Sequence, residues 1–152
     1  AGVKGNPGDT RRIVRIAGLP GGGGYGMVRG ITAFYQMLLN KGTLNGQRIL
    51  SPRLIAYVSR NHTGEMPDSA MGGTPMHRGL GPHVRGESDR IRGLGTIGAP
   101  SAFGHGGAGS SYSWADPTTG VSFSYMTNHF AGEPWHTLRL DRVANIVNAA
   151  ID

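Results

Sequence analysis

The stretch that decides the fold is residues 103–128, FGHGGAGSSYSWADPTTGVSFSYMTN. Glycines have no Cβ, so the backbone that follows His105 can approach a ligand closely and keep its N–H groups open as donors. Donors at the mouth of a rigid sheet are what an acyl-transfer site needs for its oxyanion. The stretch therefore predicts a sheet with a ligand site close to His105.

The second half of this stretch predicts an antiparallel hairpin. Residues 110–115 and 121–128 alternate small serines with aromatic residues, and residues 116–120 supply a turn. The bulky side chains on one face are Tyr112, Trp114, Phe123 and Tyr125. The other face is small enough for a helix to lie close. We expect residues 134–151, whose apolar residues recur at helical spacing, to form that helix.

Two further helices are predicted upstream. Apolar residues recur every three or four positions over residues 27–39, and Asn40 and Gly42 end that helix. After a turn at residues 42–50, a serine N-cap followed by proline predicts a second helix over residues 52–60. The residues expected to face inward on the second helix are Leu54, Ile55 and Val58.

The remaining segments have weaker patterns. Residues 1–17 are interpreted as an N-terminal arm, in which residues 12–17 form a short strand or an extended segment. Residues 79–85 resemble a glycine-interrupted strand. Residues 61–77 and 86–102 carry no period and are expected to be irregular.

This order of elements indicates an α+β fold, in which antiparallel sheet strands carry a packed C-terminal helix and additional helices. Residues 18–152 are long enough to bury one core, so we expect a single domain after the arm. The 27 glycines and 9 prolines among 152 residues predict long loops. No apolar run approaches the ~20 residues of a membrane span, and none is expected.

Composition argues against several classes of function. The net charge is +6, but the arginines are scattered rather than clustered, so nucleic acid is not expected as a partner. The chain has no cysteine, and its histidines form no pair at helical spacing, so no metal site is predicted. Residues 21–26 fit Gly-x-Gly-x-x-Gly, yet no acidic residue follows about 20 positions later, and no cofactor is predicted.

Several short motifs occur in the order that one enzyme family uses. They are a glycine stretch at 21–27 before a helix ending in Leu-Leu-Asn, Gly-Gln-Arg-Ile-Leu-Ser-Pro at 46–52, Gly-Leu-Gly at 79–81 and His-Gly-Gly at 105–107. Over residues 18–150 the chain resembles the superfamily of serine β-lactamases, penicillin-binding proteins and family VIII esterases. In that superfamily Lys-Thr-Gly or His-Gly-Gly opens an edge strand of the active site.

The resemblance implies roles for the residues around the histidine. His105 would be the polar side chain that faces the nucleophile, and the Ala108 N–H would be one of two oxyanion-hole donors. The residues implied in substrate binding are Gly106, Gly107, Gly109 and Ser110. The first two would give the substrate room along the strand, and the last two would continue that strand beside the acyl group. A structural histidine that caps a turn is the alternative reading of His105.

The nucleophile of that superfamily is missing from this sequence. The only lysines are Lys4 and Lys41, which follow Ala1 and Leu38 by three positions, so Ser-x-x-Lys does not occur. We expect the C-terminal part of a serine hydrolase for small-molecule esters or amides, inactive alone and completed by an N-terminal half. The alternative is a non-catalytic binding or assembly module. A half-sheet with an exposed edge also predicts self-association.

Overall fold

The structure of the chain, a computed structural model, describes residues 16–18, 21, 24–87 and 93–151. The expected strand or extended segment at residues 12–17 lies mostly outside these ranges. Its two described residues, Ile16 and Ala17, have a helical backbone, so the extended assignment is wrong for them. The β preference of a short branched run is weak, and its context overrides it here.

A four-stranded antiparallel sheet organises the described residues. In spatial order its strands are β3 (His83–Val84), β4 (Phe103–Gly107), β5 (Ser111–Asp116) and β6 (Val121–Met126). A separate small hairpin pairs β1 (Thr43–Leu44) with β2 (Gln47–Arg48). Asn45 and Gly46 join these two strands with positive φ angles of 49° and 78°, as a tight two-residue hairpin turn requires.

The helices lie where the sequence predicts them, and the α+β fold class is confirmed. They are α1 (Val28–Leu39), α2 (Pro52–Val58) and α3 (Trp135–Ala149). The Ser51 hydroxyl accepts a hydrogen bond of 3.1 Å from the Leu54 amide, which is the predicted N-cap of α2. The predicted turn between β5 and β6 is also present. There the buried Asp116 carboxylate accepts from the Thr118 amide at 2.8 Å and from the Thr119 hydroxyl at 3.0 Å.

The β5–β6 hairpin receives α3 on the face opposite to the predicted one, and α1 packs on the other face. The aromatic face forms one core cluster, in which Trp114 and Tyr112 pack with Leu94 and with Leu140 of α3. The small face receives α1, and the Ser122 hydroxyl donates to the Gln36 side chain at 3.1 Å. The assignment of α3 to the small face is therefore wrong. Leu140 and Val147 of α3 cover the large apolar side chains of the aromatic cluster instead.

The predicted strand at residues 79–85 is also largely wrong, because only His83 and Val84 pair with β4. The Gly79 amide donates to the Pro82 carbonyl at 2.8 Å, and Gly81 takes a φ of 112°. Residues 79–82 therefore form a turn, which the two glycines and the proline favour over a strand.

Candidate active site

Strand β4 is paired unequally on its two sides. All five of its residues are in register with β5, whereas β3 pairs only with Phe103 and Gly104. Within the described residues, the part of β4 from His105 to Gly107 therefore has no strand on its outer side. This segment is the His-Gly-Gly motif, so the motif lies at an open sheet edge.

The His105 side chain is exposed at this edge. Its Nδ1 lies 2.8 Å from the Gly106 carbonyl oxygen. A carbonyl can only accept, so Nδ1 carries a proton, and in the neutral tautomer with this proton the lone pair is on Nε2. One face of the ring stacks on His83, with ring centroids 4.7 Å apart and planes 27° apart. His105 therefore offers an acceptor nitrogen to whatever lies beside β4.

Ala108, Gly109 and Ser110 form the turn between β4 and β5. The expectation that Gly109 and Ser110 continue the strand is wrong. Gly109 has a φ of 73°, which is the left-handed conformation that a three-residue hairpin loop uses. Ala108 is exposed, and no hydrogen bond among the described residues uses its amide as donor. The Ala108 N–H is thus available at the end of the open edge.

The C-terminal helix and the segment before it hold this turn in place. The Gly109 carbonyl accepts from the Ala131 amide at 2.8 Å and from Arg139 Nη2 at 3.1 Å. The same Arg139 atom lies 3.1 Å from His136 Nδ1. Arginine can only donate, so His136 accepts at Nδ1 and its ring proton is on Nε2. The buried His136 also hydrogen-bonds the backbone of Gly107.

The surroundings of His136 favour its neutral form. Burial lowers the pKa of His136, and the nearby Arg139 charge lowers this pKa further. Glu133 and the hydrogen bond with Gly107 act in the opposite direction without reversing the shift. A neutral His136 ring keeps Nδ1 as a hydrogen-bond acceptor for Arg139. Arg139 in turn donates to Gly109, so this network holds the turn that contains Ala108.

The two glycines after His105 have different surroundings. A Cβ on Gly106 would lie 2.8 Å from the Tyr112 ring and 3.1 Å from the Ser111 carbonyl oxygen. A Cβ on Gly107 would meet the Ser111 hydroxyl at 2.6 Å, and a hydroxyl can rotate away. Packing inside the sheet thus explains the glycine at position 106. Clearance for a substrate remains a prediction for both positions.

Two hollows flank the open edge. An apolar one of about 320 Å³ lies on the α1 side, and six of its lining residues are Phe34, Tyr35, Leu54, Leu80, Phe103 and His105. Leu54, which the sequence predicts to face inward, is 45% exposed here. A more polar hollow of about 250 Å³ lies on the α3 side and includes Ala108, Glu133 and His136. Of the two stacked rings, His105 lines the apolar hollow and His83 lines the polar one.

Tyr35 of α1 contacts two residues of the edge strand β4, His105 and Phe103. Its hydroxyl hydrogen-bonds the backbone of His105, and its ring packs 6.4 Å from the Phe103 ring, centroid to centroid. Burial raises the pKa of Tyr35 to about 12, although the hydrogen bond acts to lower it. Tyr35 is therefore protonated at neutral pH and supports the strand as a neutral group.

Sequence reasoning missed several residues that surround His105. The sequence alone assigns no role in the site to His83, His136 or Arg139. Their positions depend on contacts between segments distant in the sequence, and no local motif marks them.

Among the described residues, no cluster of His, Asp and Glu could hold a metal ion. None of the described helices is long and apolar enough to cross a membrane.

The fold agrees with the comparison to known families. A family model described as beta-lactamase matches residues 1–148, so the chain belongs to the beta-lactamase family. The resemblance seen in the sequence is thereby confirmed.

Three relatives illustrate this membership. The chain is 31% identical to the esterase/beta-lactamase LipL of Mycobacterium tuberculosis (strain ATCC 25618 / H37Rv) over 112 residues, which are 74% of this chain and 24% of LipL. It is 31% identical to a family VIII carboxylesterase of known structure, with a TM-score of 0.57 over 76% of this chain and 30% of the esterase. A penicillin-binding-protein homologue from Caulobacter crescentus has a TM-score of 0.64 at 27% identity, over 80% of this chain and 31% of that protein.

Proposed function

We propose that this chain supplies one wall of a serine hydrolase active site, and that the nucleophile comes from sequence outside it. The reaction would be attack of a serine hydroxyl on an ester or amide carbonyl, with loss of the alcohol or amine and hydrolysis of the acyl-enzyme. The observation that carries the proposal is the open edge of β4. There an exposed imidazole and an available amide, those of His105 and Ala108, lie three residues apart.

The Ala108 N–H is the proposed oxyanion donor. It follows the last residue of β4, and its turn is tied to α3 through Gly109 and Arg139. A donor fixed in this way needs no reorganisation when charge develops on the carbonyl oxygen. The second donor would be the amide of the missing serine.

His105 is the proposed polar group facing that serine. In its neutral form the ring can accept a hydrogen bond at Nε2, because Nδ1 is bound to the Gly106 carbonyl. A neutral acceptor suits a serine hydroxyl, which can donate to it, better than it suits an anionic substrate, which offers only acceptor atoms. Esterase activity is therefore favoured over hydrolysis of a penicillin, whose carboxylate calls for a permanent cation.

The apolar hollow is proposed to receive the segment that carries Ser-x-x-Lys. Phe34, Leu54 and Leu80 line it and are about half exposed, at 51%, 45% and 53%. The chain spans only 24% of LipL and about a third of the other two relatives, at 30% and 31%. A helix seated there would cover apolar surface and bring its serine beside His105.

The first test is to sequence the reading frame upstream of this chain. It should encode Ser-x-x-Lys and a tyrosine motif, and their absence would favour the binding or assembly module. The second test is hydrolysis of p-nitrophenyl acetate by the chain alone and by a longer form with the upstream residues. Only the longer form should turn over substrate. Turnover by the isolated chain that a serine reagent blocks would contradict the proposal.

In the longer form, two variants at one position test the oxyanion role. Ala108→Pro removes the amide hydrogen and should lower kcat by about 10²- to 10³-fold. The matched Ala108→Ser variant keeps the amide and should stay close to the parent. The extended backbone of Gly107 is compatible with a following proline, so the turn should survive. Equal activities for the two variants would rule out the donor role.

A further inference from the structure

The stacked histidines belong to a longer chain of contacts that begins in the loop before β3. Asp68 lies at the start of a 3₁₀ turn (Ser69–Met71), where its Oδ1 accepts from the Ala70 amide at 2.9 Å. Its Oδ2 accepts from Arg78 Nε at 3.1 Å and from Arg78 Nη2 at 2.6 Å. The Asp68 carboxylate therefore holds the Arg78 guanidinium with two charge-assisted hydrogen bonds.

Arg78 in turn fixes His83. Arg78 Nη1 lies 3.1 Å from His83 Nε2, and the two residues are also joined by an antiparallel backbone bridge. Since a guanidinium can only donate, His83 accepts at Nε2, and its proton lies on Nδ1. The His83 ring is thus held in one tautomer and one orientation.

His83 then presents a ring face to His105. The stack has a centroid distance of 4.7 Å, and His83 pairs with Gly104, the residue before His105. An exposed side chain such as His105 would otherwise change rotamer freely and lose its bond to the Gly106 carbonyl. A neighbouring ring held on the sheet restricts that rotation.

We propose that Asp68, Arg78 and His83 are positioning residues that orient the His105 imidazole and keep its lone pair on Nε2. These residues act on His105 through the ring stack, whose centroids lie 4.7 Å apart with planes 27° apart. The effect of these residues on catalysis rests on the proposed function of His105. Their effect on the orientation of the His105 ring does not.

The direct test is long-range ¹H–¹⁵N NMR of the histidine rings in this chain, at a pH where His105 is neutral. The parent should show His105 with its proton on Nδ1. His83→Ala removes the stack and should shift His105 toward the other tautomer, with faster ring motion. His83→Phe keeps a ring face and should retain the parent tautomer. Arg78→Gln should shift the His105 tautomer less than His83→Ala does.

His129→Ala is the matched control, because His129 is an exposed histidine outside the sheet strands and should leave the His105 tautomer unchanged. Amide spectra of each variant report whether the fold is intact. Should His83→Ala fail to fold, Arg78→Gln decides the outcome by itself. An unchanged His105 tautomer in both His83→Ala and Arg78→Gln would overturn the positioning role.

A kinetic arm separates this inference from the proposed function. In a longer form that turns over ester, His83→Ala should lower kcat with little change in KM, and His83→Phe should restore most of the loss. If the tautomer shifts in the NMR experiment while kcat stays constant, His83 does orient His105, and the assigned role of His105 is wrong. If kcat falls while the tautomer is unchanged, the positioning mechanism is wrong.

Discussion

Gly106→Ala separates packing from substrate clearance at the edge strand. The new methyl group would lie 2.8 Å from the Tyr112 ring and 3.1 Å from the Ser111 carbonyl oxygen, both closer than ordinary van der Waals contact. Tyr112 is 5% exposed and cannot move outward. Its ring is also confined by Gly93, where a Cβ would lie at 2.8 Å.

Overpacking of this kind costs about 1 to 3 kcal/mol. For a chain of this size each kcal/mol lowers the Tm by about 2 to 4 °C. We expect Gly106→Ala to lower the Tm of the chain accordingly, as measured by circular dichroism. The expected loss does not require any substrate or partner, because it arises inside the sheet.

Gly107→Ala is the matched control. Its methyl group would meet the Ser111 hydroxyl, which can rotate, so the cost should stay below about 1 kcal/mol. A smaller side chain at position 112, as in Tyr112→Leu, should also reduce the penalty of Gly106→Ala in a double-mutant cycle. Equal stability of Gly106→Ala and the parent would refute the packing argument. In a longer active form, a loss of activity in Gly107→Ala without loss of stability would support substrate clearance.

Two further predictions concern the chain alone. Because the pKa of His136 is lowered from 6.5 in the fold, the unfolded chain binds a proton more readily below that pH, and the free energy of unfolding should fall as the pH drops below about 6.5. Urea denaturation at pH 7.5 and 5.5 should show a smaller difference for His136→Gln, and an equal difference in both proteins would refute this. Within the part of the chain that the structure describes, β6 is an edge strand and contains no lysine or proline to block pairing, so sedimentation velocity should detect self-association. Met126→Lys, at an exposed position of that strand, should reduce it, whereas a monomeric parent would contradict the prediction.

Local signals predicted much of the fold. The β5–β6 hairpin follows from a period of two and from Asp116, whose side chain caps its own turn. The start of α2 follows from Ser51 before Pro52. These features are encoded within a few residues of each other, so they can be read without knowledge of the tertiary structure.

Other features depend on distant contacts. Which face of the hairpin receives α3 is decided by the partners that Leu140 finds, and the alternation of small and large residues does not specify it. The turn at residues 108–110 did have a local signal, namely the glycine at its second position. The serines that follow that glycine continue the alternation of small and aromatic residues seen in β5, so the sequence pattern predicts strand where the turn lies. The stack of His83 on His105 had no local signal, because sheet pairing alone brings these rings together.

Alternate residues of β4 face opposite sides of the sheet, one side toward the apolar hollow and the other toward the aromatic core. Phe103 and His105 lie on the side of the apolar hollow, whereas Gly104 and Gly106 lie over Trp114 and Tyr112, with hypothetical Cβ contacts of 2.6 and 2.8 Å. Glycine on the aromatic side lets the strand lie flat against the core, and this fixes the direction in which His105 points. The stability of the sheet and the orientation of the proposed site are therefore properties of the same five residues. The chain can preserve the geometry of His105 and Ala108 without the nucleophile, so the proton of His105 should stay on Nδ1 when the missing segment binds.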